Sequence, residues 1–336
     1  MLKNPFFADM ADTRKKLVPI ESVPTKTDIE QSHELIAPYI HKTPILSSRY
    51  LNELIGCEVF FKCENFQKIG AFKMRGASNA ALRLPAESLQ NGLATHSSGN
   101  HAAALALTAK NLKIPSYIVM PSSAPKIKKE AVKHYGGQII ECIPTLEARE
   151  ATLNELVIKT GAQFVHPFDN YSVIGGQATV AKELVEELPD LDAIFAPVGG
   201  GGLLSGTALS AHYFSSGTAV YGGEPLGAND AWESLNKGQL IPVKNPKTIA
   251  DGLLTSLSTK TFHLIKSHVR EIVVTEEKMI VYAMRLIWER MKILIEPSSA
   301  VALAALLNKK TAFKGKKIGI ILSGGNVDLD QFKFSA

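Results

Sequence analysis

Four consecutive glycines, Gly199, Gly200, Gly201 and Gly202, follow an apolar, strand-like segment and precede a helical pattern. At a turn from strand to helix, glycines let backbone N–H groups converge on one point, where the helix N-terminus adds its positive dipole. Such a turn binds a phosphate without a charged side chain. A flexible surface turn would also contain glycines, but the position directly after an apolar strand favours phosphate binding.

The same turn is close to the Gly-x-Gly-x-x-Gly pattern of dinucleotide-binding folds. Counted from Gly200, the third glycine position falls on Ser205, and counted from Gly201, the second falls on Leu203. Glu224, at the end of the next predicted strand, stands where a ribose-binding acid would stand. A nicotinamide-dependent oxidoreductase is therefore an alternative on this motif, weakened by the missing glycine.

Lys73 follows a Gly-Ala-Phe turn in the segment NFQKIGAFKMRGA, residues 65–77. A lysine beside a phenylalanine on a turn can be partly desolvated, which lowers the pKa of its amine and makes it a nucleophile towards aldehydes. The chain contains 37 lysines and arginines. The spacing alone therefore favours an ordinary surface lysine.

The segment HSSGNHAAALA, residues 96–106, brings two hydroxyl groups and an amide to the start of a predicted helix. Ser97, Ser98 and Asn100 could together bind a carboxylate or a phosphate at the helix N-terminus. Serine and asparagine are also common helix caps. On the sequence alone, both interpretations stay open.

Two acids, Glu224 and Asp230, lie six residues apart around a predicted loop. Their oxygen atoms would suit Mg²⁺ or Ca²⁺, although isolated acids are more often simply solvated. Another predicted strand ends on the segment SGGNVD, residues 323–328.

The elements that carry these motifs alternate between strand and helix from about residue 28 onward. This alternation predicts βαβ units and mostly parallel sheets, in which ligands bind at the carboxyl ends of the strands. Asp28 is the expected start of a helix over residues 28–40, and Gly136 the expected end of another. No composition change marks a linker, so two domains would have to be interleaved.

Composition sets broader limits on the protein. With 336 residues, 45% hydrophobic and 21% charged, the chain is typical of a globular protein of about two domains. The net charge of +5 is too small and dispersed to indicate a nucleic-acid partner. Three cysteines suit a reducing compartment. Without an apolar leader or a span long enough for a membrane helix, the expected location is cytoplasmic.

Taken together, the motifs resemble those of pyridoxal-phosphate (PLP) enzymes of fold type II, the tryptophan synthase β-like fold. Within that fold, the chain resembles the serine/threonine dehydratase and serine racemase family. The resemblance covers residues 28–330 and rests on ENFQKIGAFKMRGA, THSSGNHA, VIGGQAT, PVGGGGLLSG, GGEP, TIADG, EPSSA and SGGNVD. It implies two mostly parallel twisted sheets flanked by helices, and a homodimer. A small mobile domain, residues 92–168, would be inserted in a large PLP-binding domain, residues 1–91 and 169–336.

The resemblance also implies roles for single residues. Lys73 would bind PLP covalently and, once released, act as general base. The other implied PLP contacts are Phe72 beside the ring, Asn100 near the ring hydroxyl, Gly199, Gly200, Gly201 and Gly202 at the phosphate, and Ser323 at the pyridine nitrogen. The implied substrate contacts are Ser97, Ser98, Asn100, His101 and Arg149. A serine at the ring nitrogen makes a weaker electron sink than a carboxylate would, which favours β-elimination over transamination.

The implied activity is that of a catabolic-type L-threonine/L-serine ammonia-lyase, which releases a 2-oxo acid and ammonia and has no isoleucine feedback. Ser98 stands where racemase-type members carry a second base, so serine racemase stays an alternative. A threo-3-hydroxyaspartate dehydratase is another. Glu224, the carbonyl group of Ala228, and Asp230 match the divalent-cation site of the racemase-like and hydroxyaspartate-dehydratase members, so Mg²⁺ or Ca²⁺ is expected.

Overall fold

A computed structural model describes residues 17–124 and 126–331 of the chain. Within these residues, ten strands form two sheets. The strands are β1 (Ile45–Ser47), β2 (Glu58–Cys63), β3 (Leu93–His96), β4 (Ser116–Pro121), β5 (Gln138–Cys142), β6 (Gln163–Phe164), β7 (Ala193–Pro197), β8 (Ala219–Pro225), β9 (Glu271–Thr275) and β10 (Lys317–Leu322).

The α-helices of the described residues lie between and around these strands. They are α1 (Lys26–Ile36), α2 (Arg49–Ile55), α3 (Lys73–Leu82), α4 (Ala86–Leu89), α5 (Asn100–Leu112), α6 (Lys126–His134), α7 (Leu146–Thr160), α8 (Tyr171–Glu187), α9 (Gly202–Phe214), α10 (Asp230–Lys237), α11 (Thr259–His268), α12 (Glu277–Leu286) and α13 (Pro297–Lys309). A π-helical turn, Ile287–Met291, continues α12.

The larger sheet has the strand order β1-β2-β10-β7-β8-β9, and the smaller one β5-β4-β3-β6. All neighbouring strands are parallel except β1 and β2. The predicted α/β fold with mostly parallel sheets is therefore confirmed. Strand β1 was not predicted from the sequence, because three residues are too few to show a strand period.

Helices cover both faces of the larger sheet. Every residue of the central strand β7 is buried, as expected for a parallel strand between two helical layers. Its Phe195 packs in the apolar cluster that includes α12 and α13, whereas Ile194 and Ala196 pack in the cluster that includes α8 and α9. This layering leaves only the ends of the strands open to a ligand.

The smaller sheet comes from one continuous segment between α4 and α8, and the larger sheet takes strands from both sides of that segment. The domain limits at residues 92 and 168 stay a prediction. Residues 1–16 and 332–336, which the sequence analysis assigned to the large domain, lie outside the described residues.

Helix α1 begins earlier than the sequence predicted. Thr25 is its N-cap: Thr25 Oγ1 accepts a hydrogen bond from Asp28 N (3.2 Å), and Asp28 Oδ2 accepts one from Thr25 N (2.9 Å). Asp28 is therefore the third helical residue in a capping box rather than the cap. After α6, Gly136 has a left-handed φ of 83°, which suits the helix end that was predicted there.

A buried ion network fixes the start of α3, the helix that begins at Lys73. Arg75 donates from Nε and Nη2 to Glu64 (2.8 Å each) and from Nη1 and Nη2 to Glu183 (2.7 and 2.8 Å). Lys62 Nζ also donates to Glu183 (2.6 Å). All four side chains are at most 1% exposed. The two positive and two negative charges therefore balance without solvent.

Candidate active site

A cavity of about 650 Å³ lies at the carboxyl ends of strands from both sheets. Its walls include residues 96–101 at the end of β3, 166–168 after β6, 199–203 after β7, and Ser323 and Asn326 after β10. This is the position that the rule for open parallel sheets predicts for a ligand. All the residues predicted to contact PLP or substrate line this one cavity: Phe72, Lys73, Ser97, Ser98, Asn100, His101, Arg149, Gly199, Gly200, Gly201, Gly202 and Ser323.

Lys73 presents a weakly basic amine to this cavity. Its Nζ donates to the carbonyl oxygen of Pro167 (3.0 Å) and lies 5.2 Å from the centroid of the Phe72 ring. Burial lowers the pKa of Lys73 to about 8, although the nearby Glu296 carboxylate raises it in part. A larger neutral fraction near neutral pH makes this amine a better nucleophile and base than a solvated lysine.

The glycine turn has no room for side chains. A Cβ atom on Gly200 would lie 2.4 Å from the Phe168 ring, and one on Gly199 would lie 2.9 Å from Leu253 Cα. Gly201 has a left-handed φ of 85° and is the N-cap of α9, with no side-chain hydrogen bond to the helix start. The N–H groups of this turn therefore suit an anionic ligand better than a capping side chain.

The Ser97–His101 turn ends β3 and begins α5. Gly99 N donates to Ser97 Oγ (3.4 Å). His101 is 2% exposed, and one of its ring nitrogens, Nε2, lies 3.1 Å from the carbonyl oxygen of Val165. Burial lowers the pKa of His101 to about 3. A neutral ring with an Nε2–H donor therefore links this turn to the chain that follows β6.

Glu296 and Asn326 also line the cavity, although the sequence analysis gave neither a role. Glu296 accepts hydrogen bonds from Asn100 Nδ2 (2.9 and 3.2 Å to its two oxygens) and from Asn326 N (3.2 Å). Burial raises the pKa of Glu296 to about 7. Both residues belong to motifs on which the family resemblance rests, EPSSA for Glu296 and SGGNVD for Asn326. These motifs were the signal that could have identified them.

Two basic side chains, Lys128 and Arg149, line the cavity from α6 and α7. Lys128 Nζ forms an ion pair with Asp251, which comes from the part of the chain that follows β8. Arg149 Nε donates to the carbonyl oxygen of Thr145 in its own chain segment (3.4 Å). Among the described residues, no carboxylate forms an ion pair with Arg149. Its guanidinium can therefore bind an anionic group in the cavity.

The predicted metal ligands lie outside this cavity, around the end of β8. Glu224 accepts from the N–H groups of Ala231 (2.9 Å) and Trp232 (2.8 Å), and Asp230 Oδ2 accepts from Leu257 N (3.1 Å). Burial raises the pKa of Glu224 well above its usual range.

The second acid of that pair, Asp230, has a buried Oδ1 atom with no hydrogen-bond partner among the described residues. Burial raises its pKa to about 6. Across the part of the chain that the structure covers, no group of three or more His, Cys, Asp or Glu side chains could hold a metal ion. A cation at this point would therefore need backbone oxygen, such as the predicted carbonyl of Ala228, besides the two carboxylates.

The sequence profile of the family described as "Pyridoxal-phosphate dependent enzyme" matches residues 36–324. The chain belongs to this family. It is 49% identical to a beta-hydroxyaspartate dehydratase of Paracoccus denitrificans over 313 residues, which are 93% of this chain and 99% of that protein. It is also 49% identical to a serine racemase of Dictyostelium discoideum over 310 residues, 91% of this chain and 95% of that protein.

Solved structures agree with this assignment. The structure of maize serine racemase superposes with a TM-score of 0.90 at 43% identity, covering 92% of this chain and 96% of that one. The protein is thus a PLP-dependent enzyme of fold type II, as the resemblance implied. Within the described residues, no helix is both long and apolar enough to cross a lipid bilayer.

The cavity residues fit PLP, which carries an aldehyde, a phosphate and a pyridine ring. The desolvated amine of Lys73 suits the aldehyde, and the side-chain-free turn from Gly199 to Gly202 suits the phosphate. Ser323 follows β10 on the same cavity, and its carbonyl oxygen accepts from Phe72 N (3.0 Å), so these two walls are held together. The donor set therefore agrees with the cofactor of the family.

Proposed function

We propose that the enzyme is an ammonia-lyase that eliminates the β-hydroxyl group of a small 3-hydroxy amino acid, with L-threo-3-hydroxyaspartate as its best substrate. The observation that carries this proposal is the guanidinium of Arg149, which lies on the same cavity as Lys73 and forms no ion pair with a carboxylate of the described residues. Only hydroxyaspartate has a second carboxylate for it to bind. The family resemblance implies L-threonine and L-serine as substrates, and both remain candidate substrates here.

Each wall of the cavity has its own task in this proposal. Bound PLP supplies the electron sink that stabilises negative charge at the substrate Cα. Lys73 takes the Cα proton, because its lowered pKa leaves it partly neutral. The turn from Ser97 to Asn100 binds the α-carboxylate through the N-terminus of α5, and Arg149 binds the β-carboxylate through charge-assisted hydrogen bonds.

A second candidate, serine racemase, is favoured by Ser98. Its hydroxyl belongs to the turn that lines the cavity, and a proton donor on the face of the substrate opposite Lys73 would yield the D-amino acid. The chain is 49% identical both to the Dictyostelium serine racemase and to the Paracoccus dehydratase, so sequence similarity supports the racemase and the lyase equally. The two activities differ in product, so one assay separates them.

The test is incubation of the holoenzyme with L-serine, L-threonine and L-threo-3-hydroxyaspartate, measuring ammonia, 2-oxo acid and D-amino acid. We expect the highest kcat/KM with hydroxyaspartate. Replacing Arg149 with methionine should lower that value about 10- to 100-fold and change the value for L-serine far less. The matched control is R285M: Arg285 lies exposed on α12 and pairs with Glu289 of the π-helical turn. No product from any substrate would refute both activities, and more D-serine than pyruvate would favour the racemase.

We further propose that Glu224, the carbonyl of Ala228 and Asp230 bind Mg²⁺ or Ca²⁺ in a structural role. Removing the ion with EDTA should lower Tm by roughly 5 °C, since a ligand at 100 times its Kd stabilises a protein by about 2.7 kcal/mol. In Glu224→Gln, EDTA should leave Tm unchanged, whereas in the control Glu276→Gln the wild-type shift should remain. A wild-type Tm that does not respond to EDTA or to added Mg²⁺ and Ca²⁺ would contradict the proposal.

A further inference from the structure

The loop that leads to Lys73 contains a strained turn. Ile69 has φ of 61° and ψ of 6°, and Gly70 follows with φ of 73°. A β-branched residue rarely adopts this left-handed conformation, and such residues persist only where the surroundings hold them. The side chain of Ile69 is 8% exposed and packs in the apolar cluster around α3 and α5. Burial and strain therefore coincide four residues before the reactive lysine.

Asn326 contacts this turn directly. Its Nδ2 donates to the carbonyl oxygen of Ile69 (2.7 Å), and Gly325 N donates to the carbonyl oxygen of Gly70 (2.9 Å). A Cβ atom on Gly70 would lie 2.7 Å from Asn326 Oδ1. The segment after β10 therefore holds both residues of the turn, through an approach that only glycine permits.

The same amide reaches the other side of the cavity. Asn326 Nδ2 donates to Asn100 Oδ1 (2.9 Å), Asn100 Nδ2 donates to Glu296 (2.9 Å), and Asn326 N donates to Glu296 (3.2 Å). Asn100 begins α5, on the small-sheet side, whereas Glu296 and Asn326 belong to the large-sheet side. Three side chains thus join the two sides at the cavity.

The chemistry of the partners fixes the orientation of both amides. A carbonyl oxygen only accepts, so Asn326 must present its Nδ2 to Ile69. The second proton of that Nδ2 points to Asn100, which must accept it with its Oδ1. The Nδ2 of Asn100 is then left for Glu296. The Nδ2 donor of Asn326 therefore fixes the orientation of the Asn100 amide, with Oδ1 towards Asn326 and Nδ2 towards Glu296.

We propose that Asn326 is a positioning residue of the Lys73 site: its amide holds the Ile69–Gly70 turn in the left-handed conformation and orients Asn100. Lys73 and Asn100 thereby keep one relative geometry. This inference rests on the site that the proposed function uses, but it does not depend on which hydroxy amino acid is the substrate.

The first test compares Asn326→Ala with the wild type as holoenzymes, using Asn308→Ala as the matched control. Exposed Asn308 also donates from its amide to a backbone carbonyl, that of Val274 (3.4 Å), but outside the cavity. Asn326→Ala should speed hydrogen exchange of residues 64–73 about tenfold and change the visible circular dichroism of bound PLP. Asn308→Ala should do neither. Unchanged exchange and an unchanged spectrum in Asn326→Ala would overturn the proposal.

The second test asks whether Asn326 acts through the strained turn. Ile69→Gly and Ile69→Ala both remove the apolar side chain, but only glycine adopts the left-handed conformation freely. In each background, the measurement is the factor by which Asn326→Ala speeds the loss of PLP to a scavenger. This factor should be several-fold smaller with Ile69→Gly than with Ile69→Ala, because a glycine turn needs no support from Asn326. Equal factors in both backgrounds would refute the proposed role.

If Asn326→Ala yields no soluble protein, Asn326→Gln is compared in the same way, because its longer amide cannot keep both contacts. Exchange, dichroism and PLP loss require no turnover. An enzyme inactive towards all three substrates would refute the proposed function and leave this inference standing, whereas unaltered readouts in an active Asn326 variant would refute only this inference.

Discussion

Lys73→Ala is expected to lower kcat/KM for every substrate by at least about 10³-fold, since a positioned general base alone contributes about 10²- to 10⁴-fold. The variant should also lose the visible absorption band of PLP bound to a lysine. Both effects follow from one atom, because in the proposed function Lys73 Nζ is both the nucleophile for the cofactor aldehyde and the base for the substrate. Its contact with the Pro167 carbonyl (3.0 Å) and its pKa of about 8 suit both roles.

The control is Lys68→Ala, five residues earlier in the same motif and not part of the cavity wall. It should keep the absorption band and most of the activity. The measurement is an absorption spectrum of each purified variant, followed by an ammonia assay. A Lys73→Ala enzyme that retained the band and turned over substrate would refute the assignment of this lysine.

Arg75→Met is expected to lower the free energy of unfolding by about 3–5 kcal/mol, because removing one partner of a buried ion network leaves the others uncompensated. Glu64 would lose both of its hydrogen bonds from the guanidinium, and Glu183 would lose two of its own. Burial alone would raise the pKa of Glu183, but hydrogen bonds from His33 and Arg75 hold it well below its usual range. In the variant, Glu183 would keep only His33 and Lys62 as partners, so its burial would be less well compensated.

Urea denaturation at a fixed PLP concentration measures this loss. The R285M variant again serves as control, because the Arg285–Glu289 pair (3.0 Å) is exposed on both sides. An exposed pair contributes less than about 1 kcal/mol. Equal losses in R75M and R285M would mean that burial does not control the strength of this network. A loss of unfolding free energy in R75M far below the expected range would mean that water replaces the guanidinium.

The features that the sequence predicted correctly are those whose signal is local. The strand-to-helix turn at Gly199 and the alternation of elements can be seen within about 20 residues, because hydrophobic periodicity and turn chemistry act over short distances. Lys73 needed a resemblance, since nothing nearby distinguishes it from other lysines. Its amine is buried and donates to the carbonyl oxygen of Pro167, which lies 94 residues away in the chain.

The features that the sequence left unassigned depend on distant contacts. Asn326 contacts the carbonyl of Ile69, which lies 257 residues away in the chain. No pattern within either segment predicts that contact. Arg75 and Glu183 stand in helical patterns, where single charges usually face solvent. Their burial follows only from the packing of α3 against α8. Tertiary proximity, rather than local preference, therefore decides these roles.

The position of β10 has a consequence for synthesis of the chain. Lys317 in β10 pairs with Glu58 in β2, and Ile318 pairs with Ala193 in β7, so β10 lies between two strands that are made much earlier. At about 5–20 residues per second, a ribosome takes roughly 13 to 50 s from β2 to β10. β7 is made only about halfway through that time, and until β10 is made the edges of β2 and β7 that pair with it lack a partner strand. The larger sheet is therefore expected to complete its strand pairing only after β10 has been synthesised.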